Sequence, residues 1–497
     1  MKRQSPLFTN PNNTWILLAL VCALSLLIMD ATILSVSLPS IRRDLGLELL
    51  PSQWVINSYL ITLASLVFAG GRIADIFGHR KIFVVGLLIY CVGALIGGVA
   101  QSGYVLIGGR VVQGIGSSLF GPASYALLYD HFSIKERGRA VGIVVGISSA
   151  FITLGPFAGG AISQLWNWRF VFLLPFFFII PGLFLTLKYC QESQKKAEHV
   201  DLKSFLALTS ALITLTFALM SGQNKGWHSL SITSLLLLSA LFFFLFFRAN
   251  KRAKHPFMHS HLMKNRLFLR GNLMIFGIQS IMMMTVLMPV YFQTALGMSP
   301  TKAGLWMVLE SLPVIFFGPL SGFISDRYGP YLPASLGFKL IACSFALFIV
   351  WVVYSNLTIL ALSLILLGCG LSLAMTPVST STLSSVDQNY NGEGTGFYNS
   401  VRYFSQSVSL SLICSLFNTI GLGTFERLVQ RDDAAHLWEQ LDTFGLAVST
   451  DPLVTQSYIL GSNIGFISLC FCGIGISLGC LTLGKLFFQK FEILHRP

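Results

Sequence analysis

The sequence contains little charge. Charged residues occupy 11% of its 497 positions, whereas soluble domains carry roughly 25%. Apolar residues occupy 54%, and the mean hydropathy is +0.71. These values exclude a set of ordinary soluble domains, because too few polar residues are present to cover their surfaces. The long apolar runs predict an all-α polytopic membrane protein, since a helix satisfies its own backbone inside a bilayer.

The sequence also lacks the motifs of several enzyme classes. It has no phosphate-binding loop of the G-x-x-x-x-G-K-[ST] type, which argues against ATP-driven transport by this chain. Its nine cysteines lie almost all within apolar runs, without metal-ligand spacing or a paired framework, so we expect them to be packing residues. The polar segments carry no paired acids beside a nucleophile. We therefore expect no enzyme activity, no cofactor and no metal site.

The basic residues are unevenly distributed. The net charge is +13, and most of the 33 lysine and arginine residues fall on one side of the predicted membrane topology. Cytoplasmic segments carry such an excess, so both termini are predicted to be cytoplasmic. The densest basic stretch, residues 248–270, lies beside a span and favours contact with anionic lipid over nucleic acid. Its histidine-rich part, residues 255–261, is interpreted as a solvated linker in preference to a metal site.

The apolar runs predict fourteen spans in the order six, two, six, each long enough to cross about 30 Å of hydrocarbon. The first run is too long for a signal peptide and lacks a cleavage site, so it is kept as a helix. The predicted spans lie near 14–38, 53–70, 82–101, 104–129, 139–162 and 170–189, then 204–221 and 229–247, then 268–296, 303–324, 332–354, 357–385, 396–422 and 462–488.

These spans divide the chain into five parts. Residues 1–13 form an N-terminal tail and residues 14–190 a first six-helix bundle. Residues 191–267 hold linkers and the two extra helices. Residues 268–490 form a second six-helix bundle, and residues 491–497 form a C-terminal tail. The second bundle includes an outer loop at 423–461, whose mixed charges and Trp438 favour an amphipathic helix in a solvated cap without chemistry.

One short segment between two apolar runs is unusually polar. GRIADIFGHRK, Gly71–Lys81, combines glycines, an acid and several bases. Glycines permit a tight turn and close helix approach, and the bases favour the cytoplasmic face. GFISDRYG repeats the pattern G-x-x-x-D-x-x-G, which predicts a duplicated membrane domain more strongly than a chance match. The residues expected to act in gating are Gly71, Asp75, Gly78, Arg80, Lys81, Gly322, Asp326 and Gly329.

Four further segments stand out beside Gly71–Lys81. They are MDATILSVSLP (Met29–Pro39), RVVQGIGSS (Arg110–Ser118), GPFAGG (Gly155–Gly160) and NWRFVF (Asn167–Phe172). Together the five segments resemble the fourteen-helix drug:proton antiporter branch of the major facilitator superfamily, with Gly71–Lys81 as its loop between helices 2 and 3 and the others as its motifs of helices 1, 4, 5 and 6.

The sequence departs from the family's pattern at several positions. His79 stands where a basic Arg or Lys is usual. Ser35 and Ser37 replace the usual Asn and Ala of helix 1. The second copy of the loop has Pro330 and Tyr331 where the first copy has basic residues.

The resemblance implies a major facilitator fold of two six-helix bundles plus two extra helices, with 14 transmembrane helices. It implies transport by alternating access, driven by the proton gradient without a cofactor. The protein would be a multi-pass plasma membrane protein of a bacterial inner membrane. Its partners would be a small-molecule substrate, protons and the lipid bilayer. It would function as a monomer, with periplasmic partners left open.

Asp30 is an acid inside the first span. A carboxylate there is costly unless it is paired, faces water or is protonated. Together with the resemblance, this makes Asp30 the principal candidate for proton coupling. The alternative is a structural acid satisfied by the hydroxyl groups of Thr32 or Ser35.

Arg110 in the fourth span is the natural partner for a nearby charge. It shares one helix face with Gln113 and Gly114, and a buried arginine without an acceptor is costly. One interpretation is that Arg110 helps to expel a proton from a carboxylate when substrate arrives. The other, equally favoured, is a static pair with loop charges.

Small residues mark the fifth span. Gly155, Pro156 and Gly159 predict a smooth face and a bend. We expect this face to pack against the other half of the molecule, where helices move during alternating access.

The second half contains two further intramembrane charges, Glu310 and Arg402. Such charges are candidates for function, so Glu310 is expected to bind a cationic substrate or a second proton. The alternative is that the two residues neutralise one another or a helix end. A partly aromatic, partly polar cavity is also predicted. Its candidate lining residues are Gln113, Gln279, Tyr291, Gln293, Trp306, Tyr398, Asn399 and Arg402.

These observations favour a secondary active transporter that exports small amphipathic or cationic compounds in exchange for protons. The main alternative is a dedicated exporter of one endogenous metabolite, such as a siderophore. A transporter-like sensor is disfavoured by the intramembrane acids, and uptake is a more distant interpretation.

Overall fold

A computed structural model describes residues 12–193, 201–253, 262, 264–386, 391–444, 446 and 451–495. The predicted histidine-rich segment 255–261, residues 1–11 of the predicted N-terminal tail and residues 496–497 of the predicted C-terminal tail lie outside these residues. Within the described ranges the chain is helical and contains no strand. The predicted all-α class is therefore confirmed.

Fifteen α-helices and one short 3₁₀ helix make up the described chain. The first eight α-helices are α1 (Asn13–Leu45), α2 (Leu49–Phe77), α3 (His79–Gly98), α4 (Gly103–His131), α5 (Ile134–Leu165), α6 (Phe176–Tyr189), α7 (Leu202–Lys225) and α8 (Leu230–Arg252). The others are α9 (Arg266–Thr294), α10 (Pro300–Tyr328), α11 (Tyr331–Tyr354), α12 (Leu357–Ser384), α13 (Asn391–Val429), α14 (Ala434–Phe444) and α15 (Pro452–His495). The 3₁₀ helix, Trp168–Phe172, leads into α6.

Polar side chains start many of these helices. Ser102, Asn265, Ser299 and Asn356 each accept a hydrogen bond from a backbone N–H in the first turn of the helix that follows. Ser133 begins α5 with a reciprocal capping box. Such caps satisfy backbone donors that have no partner within the helix. They fix where each span begins.

Twelve helices of the described chain are long and apolar enough to cross a membrane. A thirteenth span results when the two parts of α1, which meet at 42°, are counted together. Helix α4 is 29 residues long but is not among these spans. The predicted count of fourteen spans therefore stays a prediction, whereas a multi-pass membrane protein is confirmed.

The helices form two six-helix bundles. Helices α1–α6 pack together in the first, which we call the N-half, and α9–α13 with α15 pack together in the second, the C-half. The halves meet mainly along two seams, where α5 packs against α10 and α2 packs against α13, and α1 also contacts α9. We call the end at which α2 meets α3 the inner end, and the opposite end the outer end.

The two extra helices cover one of these seams. Helix α7 packs against α8 and also against both α2 and α13. Trp54 of α2 and Phe217 of α7 are in ring contact, with centroids 5.6 Å apart. At the inner end, Phe246 of α8 joins Phe68 and Phe268 in an apolar cluster that includes residues of both halves. The extra helices thus add apolar contacts beside the α2–α13 seam.

The predicted inner loop Gly71–Lys81 is shorter than expected. Helix α2 continues through Phe77, and α3 begins at His79, so Gly78 alone separates them. Gly78 has φ of +105° and Gly329, its counterpart in the repeat, has φ of +85°. Each donates its N–H to the carbonyl four residues earlier. One glycine per copy suffices for the turn, because only glycine adopts such a backbone without strain.

The predicted outer loop 423–461 is partly helical. Helix α13 extends to Val429, α15 begins at Pro452, and α14 lies between them. On α14, Trp438 and Asp442 are 4% and 6% exposed. The expected amphipathic helix is present, but its apolar face is packed on the bundle.

Candidate functional site

Asp30 and Arg110 form a buried ion pair. The two terminal nitrogens of Arg110 donate to the two carboxylate oxygens of Asp30, at 2.8 and 2.7 Å. Asp30 is 8% exposed and Arg110 is 1% exposed. Asp30 lies at the bend of α1, between Asn13–Leu27 and Thr32–Leu45. The bidentate geometry fixes both side chains and is the strongest arrangement that these groups can make.

Other groups of the N-half complete the hydrogen bonds of the pair. Tyr90 donates its hydroxyl to Asp30 at 3.1 Å. Arg110 donates to the side-chain oxygen of Gln113 at 2.9 Å and to the backbone oxygen of Val55 at 3.1 Å. The Tyr59 ring lies 4.3 Å from the guanidinium carbon. Besides α1, the guanidinium is thus held by α2 and by its own helix α4, and these contacts offset part of its desolvation.

Close packing of α3 on α4 positions this site. A Cβ atom on Gly93 would lie 2.6 Å from the backbone nitrogen of Gln113, and one on Gly116 would lie 2.5 Å from that of Tyr90. Both distances are too short for a real contact, so the helices approach this closely only because these residues are glycines. Tyr90 of α3 therefore reaches the same carboxylate as Arg110 of α4.

The geometry separates the alternatives for Asp30 and Arg110. Thr32 donates its hydroxyl to the backbone oxygen of Met29, and Ser35 donates to that of Thr32. These hydroxyls satisfy their own helix instead of Asp30. Arg110 pairs with the intramembrane carboxylate and not with a loop charge.

Two small spaces adjoin the Asp30 carboxylate, each of about the size of one water molecule. The first lies inside the N-half and is lined in part by Met29, Tyr90 and Phe172. The second is lined by Asp30 and Tyr59 of the N-half and by Met283 and Val286 of the C-half. A change in the charge of Asp30 therefore acts on residues of both halves.

Glu310 lies apart from this pair. It is half-buried on α10 and lies beside Thr285 of α9. Within the described residues it makes no ion pair with Arg402, so the two do not neutralise one another.

Arg402 lies on α13 toward the inner end. It is half-buried, and its guanidinium carbon is 5.6 Å from the ring centre of Tyr403. Tyr398, one turn earlier, hydrogen-bonds Ser379 of α12 at 2.8 Å. Asn399 donates its amide to the backbone oxygen of Thr395. This part of α13 holds three of the residues predicted to line a cavity.

The other predicted cavity residues lie elsewhere. Gln279 is fully buried and accepts a hydrogen bond from Gln406 at 2.7 Å, inside the C-half. Tyr291 stacks on Phe466 in an aromatic cluster of the C-half.

Three other candidates lie outside the core of the C-half. Gln293 donates to the backbone oxygen of Val36 across the two halves at 2.9 Å. Gln113 accepts a hydrogen bond from Arg110, and Trp306 is half-buried on α10. These residues do not form one continuous lining.

The glycines of α5 face two different neighbours. A Cβ on Gly155 would lie 2.3 Å from the Thr32 hydroxyl, and one on Gly159 would lie 2.4 Å from the Ile33 oxygen. Both predicted gating glycines therefore pack on α1 of their own half. Gly160 instead faces the Pro300 oxygen of the C-half at 2.3 Å.

The proline of α5 also contacts the other half. Gly304 of α10 faces the backbone oxygen of Pro156, and an added Cβ would lie 2.3 Å from it. The contact with the C-half expected for this part of α5 is thus made by Pro156 and Gly160.

The first copy of the repeated motif forms a network. In the part of the chain that the structure describes, the second copy does not. His79 lies between Asp75, at 3.1 Å, and Asp130, at 2.6 Å. Glu192 accepts the backbone N–H groups of Arg80 and Lys81, both at 3.0 Å. His79 replaces the usual base of the motif yet contacts two acids.

In the second copy, Asp326 is exposed. The first glycines also differ from expectation. A Cβ on Gly71 would make only an ordinary contact, 3.6 Å from Pro122 of α4, and one on Gly322 would lie 4.0 Å from Thr376. One on Gly70, by contrast, would lie 1.9 Å from the Ser118 oxygen of α4.

Several residues of the site were not singled out from the sequence. Tyr90 and Tyr59 contact the central pair. Arg42 and Asp442 form a second buried ion pair at 2.6 Å, which joins α1 to α14. Tyr90 is a polar interruption in an apolar run, and this was the available signal. The partner of Arg42 lies 400 positions away, so no local pattern connects the two.

The comparisons with known proteins agree with this architecture. A family model described as the Major Facilitator Superfamily matches residues 20–410. Multidrug resistance protein Stp of Mycobacterium tuberculosis is 28% identical over 426 residues, which are 84% of this chain and 78% of that protein. The tetracenomycin C resistance and export protein of Streptomyces glaucescens is 28% identical over 399 residues, which are 80% of this chain and 73% of that protein.

A solved structure has the same fold. It is the inward-facing, occupied crystal structure of a bacterial homologue of the human lysosomal transporter Spinster, with a TM-score of 0.64 and 15% identity. The match covers 97% of this chain and 99% of that one. At this identity the likeness concerns the fold alone. Because the family model spans most of the chain and the two bundles have the matching architecture, the chain belongs to the Major Facilitator Superfamily and is a membrane transporter.

Proposed function

We propose that this transporter exports small amphipathic compounds, including cationic ones, in exchange for protons. The observation that carries the proposal is the buried, bidentate pair of Asp30 and Arg110 at the bend of α1. Relatives named for multidrug resistance and for resistance and export support export as the direction.

Protonation of Asp30 is the step that couples the gradient to the pair. The neutral carboxyl no longer offsets the charge of Arg110, and a buried charge without its partner costs about 3–5 kcal/mol. Arg110 keeps its contacts with Gln113, Val55 and the Tyr59 ring, which reduce this cost. The residual contacts allow Asp30 to gain and lose a proton without unfolding the site.

The position of Asp30 transmits this change to the other half. The space beside its carboxylate is closed on one side by Met283 and Val286 of α9. Movement of Arg110 or Tyr59 changes the surface that faces Met283 and Val286 of α9. The proton occupancy of Asp30 then biases the relative position of the two halves, which is what alternating access requires.

The free energy available to this exchange is sufficient for efflux. One proton that crosses 100 mV gains about 2.3 kcal/mol, which supports a gradient of roughly fifty-fold for an uncharged substrate. Exchange of one proton for a monovalent cation moves no net charge and is driven by the pH difference alone. The proposal includes a bacterial inner membrane, cytoplasmic termini, a monomeric transporter and no cofactor. The positive-inside distribution of lysine and arginine supports the orientation.

Inverted membrane vesicles with an acidified lumen test the proposal. Amphipathic dyes, cationic and uncharged, are added outside, and lumen pH is followed in vesicles with wild type, Asp30→Asn or Asp432→Asn. Asp432 is an exposed acid of the outer segment and serves as the control. We expect dye-dependent alkalinisation with wild type and the control, and its loss with Asp30→Asn.

Two results would contradict the proposal. Alkalinisation retained in Asp30→Asn would remove this carboxylate from the coupling step. Dye accumulation by wild type without any change in lumen pH would show transport that is not proton antiport.

A further inference from the structure

Arg402 is a cation between the halves without a matching anion. Among the described residues no carboxylate pairs with it, and its Nε atom is buried without a hydrogen-bond partner. Arg42 and Arg110, by contrast, each bind an aspartate. An arginine left without an acceptor in a low-dielectric region is costly. A ligand that supplies an anion to Arg402 would remove this cost, so we interpret Arg402 as a binding group.

Three tyrosines lie within the electrostatic range of this guanidinium, and the ring centre of Tyr403 is 5.6 Å from it. Tyr398 and Tyr403 of α13 are 6% and 8% exposed, and the charge of Arg402 acts on both. Tyr125 of α4, in the N-half, also lies within the electrostatic range of Arg402. Tyr125 is 38% exposed. Residues of both halves therefore lie near Arg402.

The hydroxyl groups of these tyrosines differ in what they can donate. Ser379 donates to the Met375 oxygen, so the Tyr398–Ser379 hydrogen bond is donated by Tyr398. In the described part of the chain, the hydroxyls of Tyr125 and Tyr403 make no hydrogen bond. The site thus presents a guanidinium and two phenol donors, and aromatic faces beside them.

This combination suits an anionic group on an aromatic ligand. A guanidinium binds a carboxylate through two parallel hydrogen bonds. Phenol hydroxyls donate to the same oxygens, and tyrosine rings pack on an aromatic scaffold. A cationic group would be repelled at this position, because Arg402 has no nearby acid among the described residues to offset it.

The position on the helices gives the direction of approach. Tyr125 lies near the inner end of α4, and Arg402 lies in the inner part of α13. At the outer end the halves are in contact, for example through Gln293 with Val36 and Thr301 with Gln164. Because Arg402 lies in the inner part of α13, the inner end is the shorter route for a ligand.

We propose that Arg402, Tyr125 and Tyr403 form a subsite for the carboxylate of an aromatic, amphipathic substrate that enters from the inner end. The inference rests on the proposed export function and specifies its substrate class. The subsite lies apart from Asp30, so substrate charge and proton are bound by different groups.

A matched pair of dyes tests the subsite. A rhodamine with a free carboxylate and its methyl ester share one scaffold and differ only in the group that Arg402 would bind. Equilibrium binding is measured by fluorescence anisotropy with the full chain in nanodiscs of phosphatidylcholine, which keeps anionic lipid headgroups away. The variants are Arg402→Gln, Arg402→Lys and Arg427→Gln, an exposed arginine near the outer end of the same helix.

We expect wild type to bind the free carboxylate more tightly than the ester. Arg402→Gln should weaken binding of the carboxylate about 10- to 100-fold, which is the range of a charge-assisted hydrogen-bond pair, and leave the ester within about 2-fold. Arg402→Lys should lose part of the affinity, because it keeps the charge but not the planar fork. Arg427→Gln should match wild type.

Equal binding of the two dyes by wild type would overturn the subsite, and so would an unchanged carboxylate affinity in Arg402→Gln. Failure of wild type to bind the carboxylate at all would overturn it too. The binding measurement uses no proton gradient, so it is independent of antiport. A chain that binds the carboxylate but does not exchange protons contradicts the proposed function alone, and one that exports only the ester contradicts the subsite alone.

Discussion

The pair of Arg110 and Asp30 and the pair of Arg42 and Asp442 are chemically the same but join different parts of the molecule. The first links α4 to α1 within the N-half. The second links α1 to α14, which follows α13 of the C-half. All four side chains are at most 9% exposed. The difference between the pairs is in which movements each one permits.

A displacement of one half relative to the other leaves the Arg110–Asp30 pair intact. The same displacement at the outer end must separate Arg42 from Asp442, together with the contact of Arg42 with Thr443 at 2.8 Å. The first pair is therefore suited to respond to protonation in either state, and the second to hold the outer end closed. Two ion pairs of the same residue types thus acquire different roles from the helices that carry them.

The largest effect is expected from Arg110→Leu. The change leaves Asp30 buried without its cation, and breaking a buried pair in this way costs about 3–5 kcal/mol. Thermal unfolding in detergent should show a marked loss of stability. The double variant Asp30→Leu with Arg110→Leu should recover most of it, because neither charge remains, while proton-coupled transport stays absent. A double variant no more stable than Arg110→Leu would show that the pair is not the source of the cost.

A smaller loss of stability is expected from Arg42→Leu. Asp442 lies on the short helix α14 at the surface, where water can reach it once the helix loosens, so we expect about 1–3 kcal/mol. The distinctive result is conformational. A cysteine introduced at Thr301, with the nine native cysteines replaced, should react faster with a membrane-impermeant maleimide when Arg42 is changed. Arg110→Leu should not raise that rate, and an equal increase in both would remove the distinction between the pairs.

The fold was more predictable from the sequence than the contacts between its parts. Apolar runs determine the spans, and the repeat around Gly78 and Gly329 indicates the two halves, because both signals are local. For Asp30, the sequence indicated only that a buried carboxylate needs a partner, and not the bidentate geometry of its pair. The link of Arg42 to Asp442 joins residues 400 positions apart, and it depends on how α14 folds back over the bundle.

Two neighbouring glycines of α5 also have contacts that the sequence does not predict. Gly159 and Gly160 look equivalent in the sequence, yet one faces Ile33 of its own half and the other faces Pro300 of the other half. Helix rotation decides which neighbour each one meets, and a glycine-rich stretch without an apolar stripe does not report that rotation.

These two glycines provide the next prediction. Gly159→Ala and Gly160→Ala introduce nearly equal clashes, at 2.4 and 2.3 Å from a backbone oxygen. Each should cost about 1–3 kcal/mol through overpacking. Only Gly160→Ala should raise maleimide labelling of the cysteine at position 301, since it alone pushes the halves apart. Gly146→Ala, with nothing within 4 Å of the added atom, should change neither quantity. Increased labelling in Gly159→Ala would contradict the assignment of that contact to one half.

The smallest effect is expected from the loss of a single neutral hydrogen bond. Two such bonds allow a contact between the halves to be compared with one inside a half, without any change in charge. Gln293→Leu removes a hydrogen bond between the halves, and Gln406→Leu removes one inside the C-half. Each bond is worth about 0.5–1.5 kcal/mol, so the loss in thermal stability should be similar. The cross-half change acts on the equilibrium between states, which should raise outer-end labelling by roughly 2- to 10-fold. The change inside one half affects both states equally and should leave labelling unchanged. If Gln406→Leu raised labelling as much as Gln293→Leu, the two halves would not move as separate units.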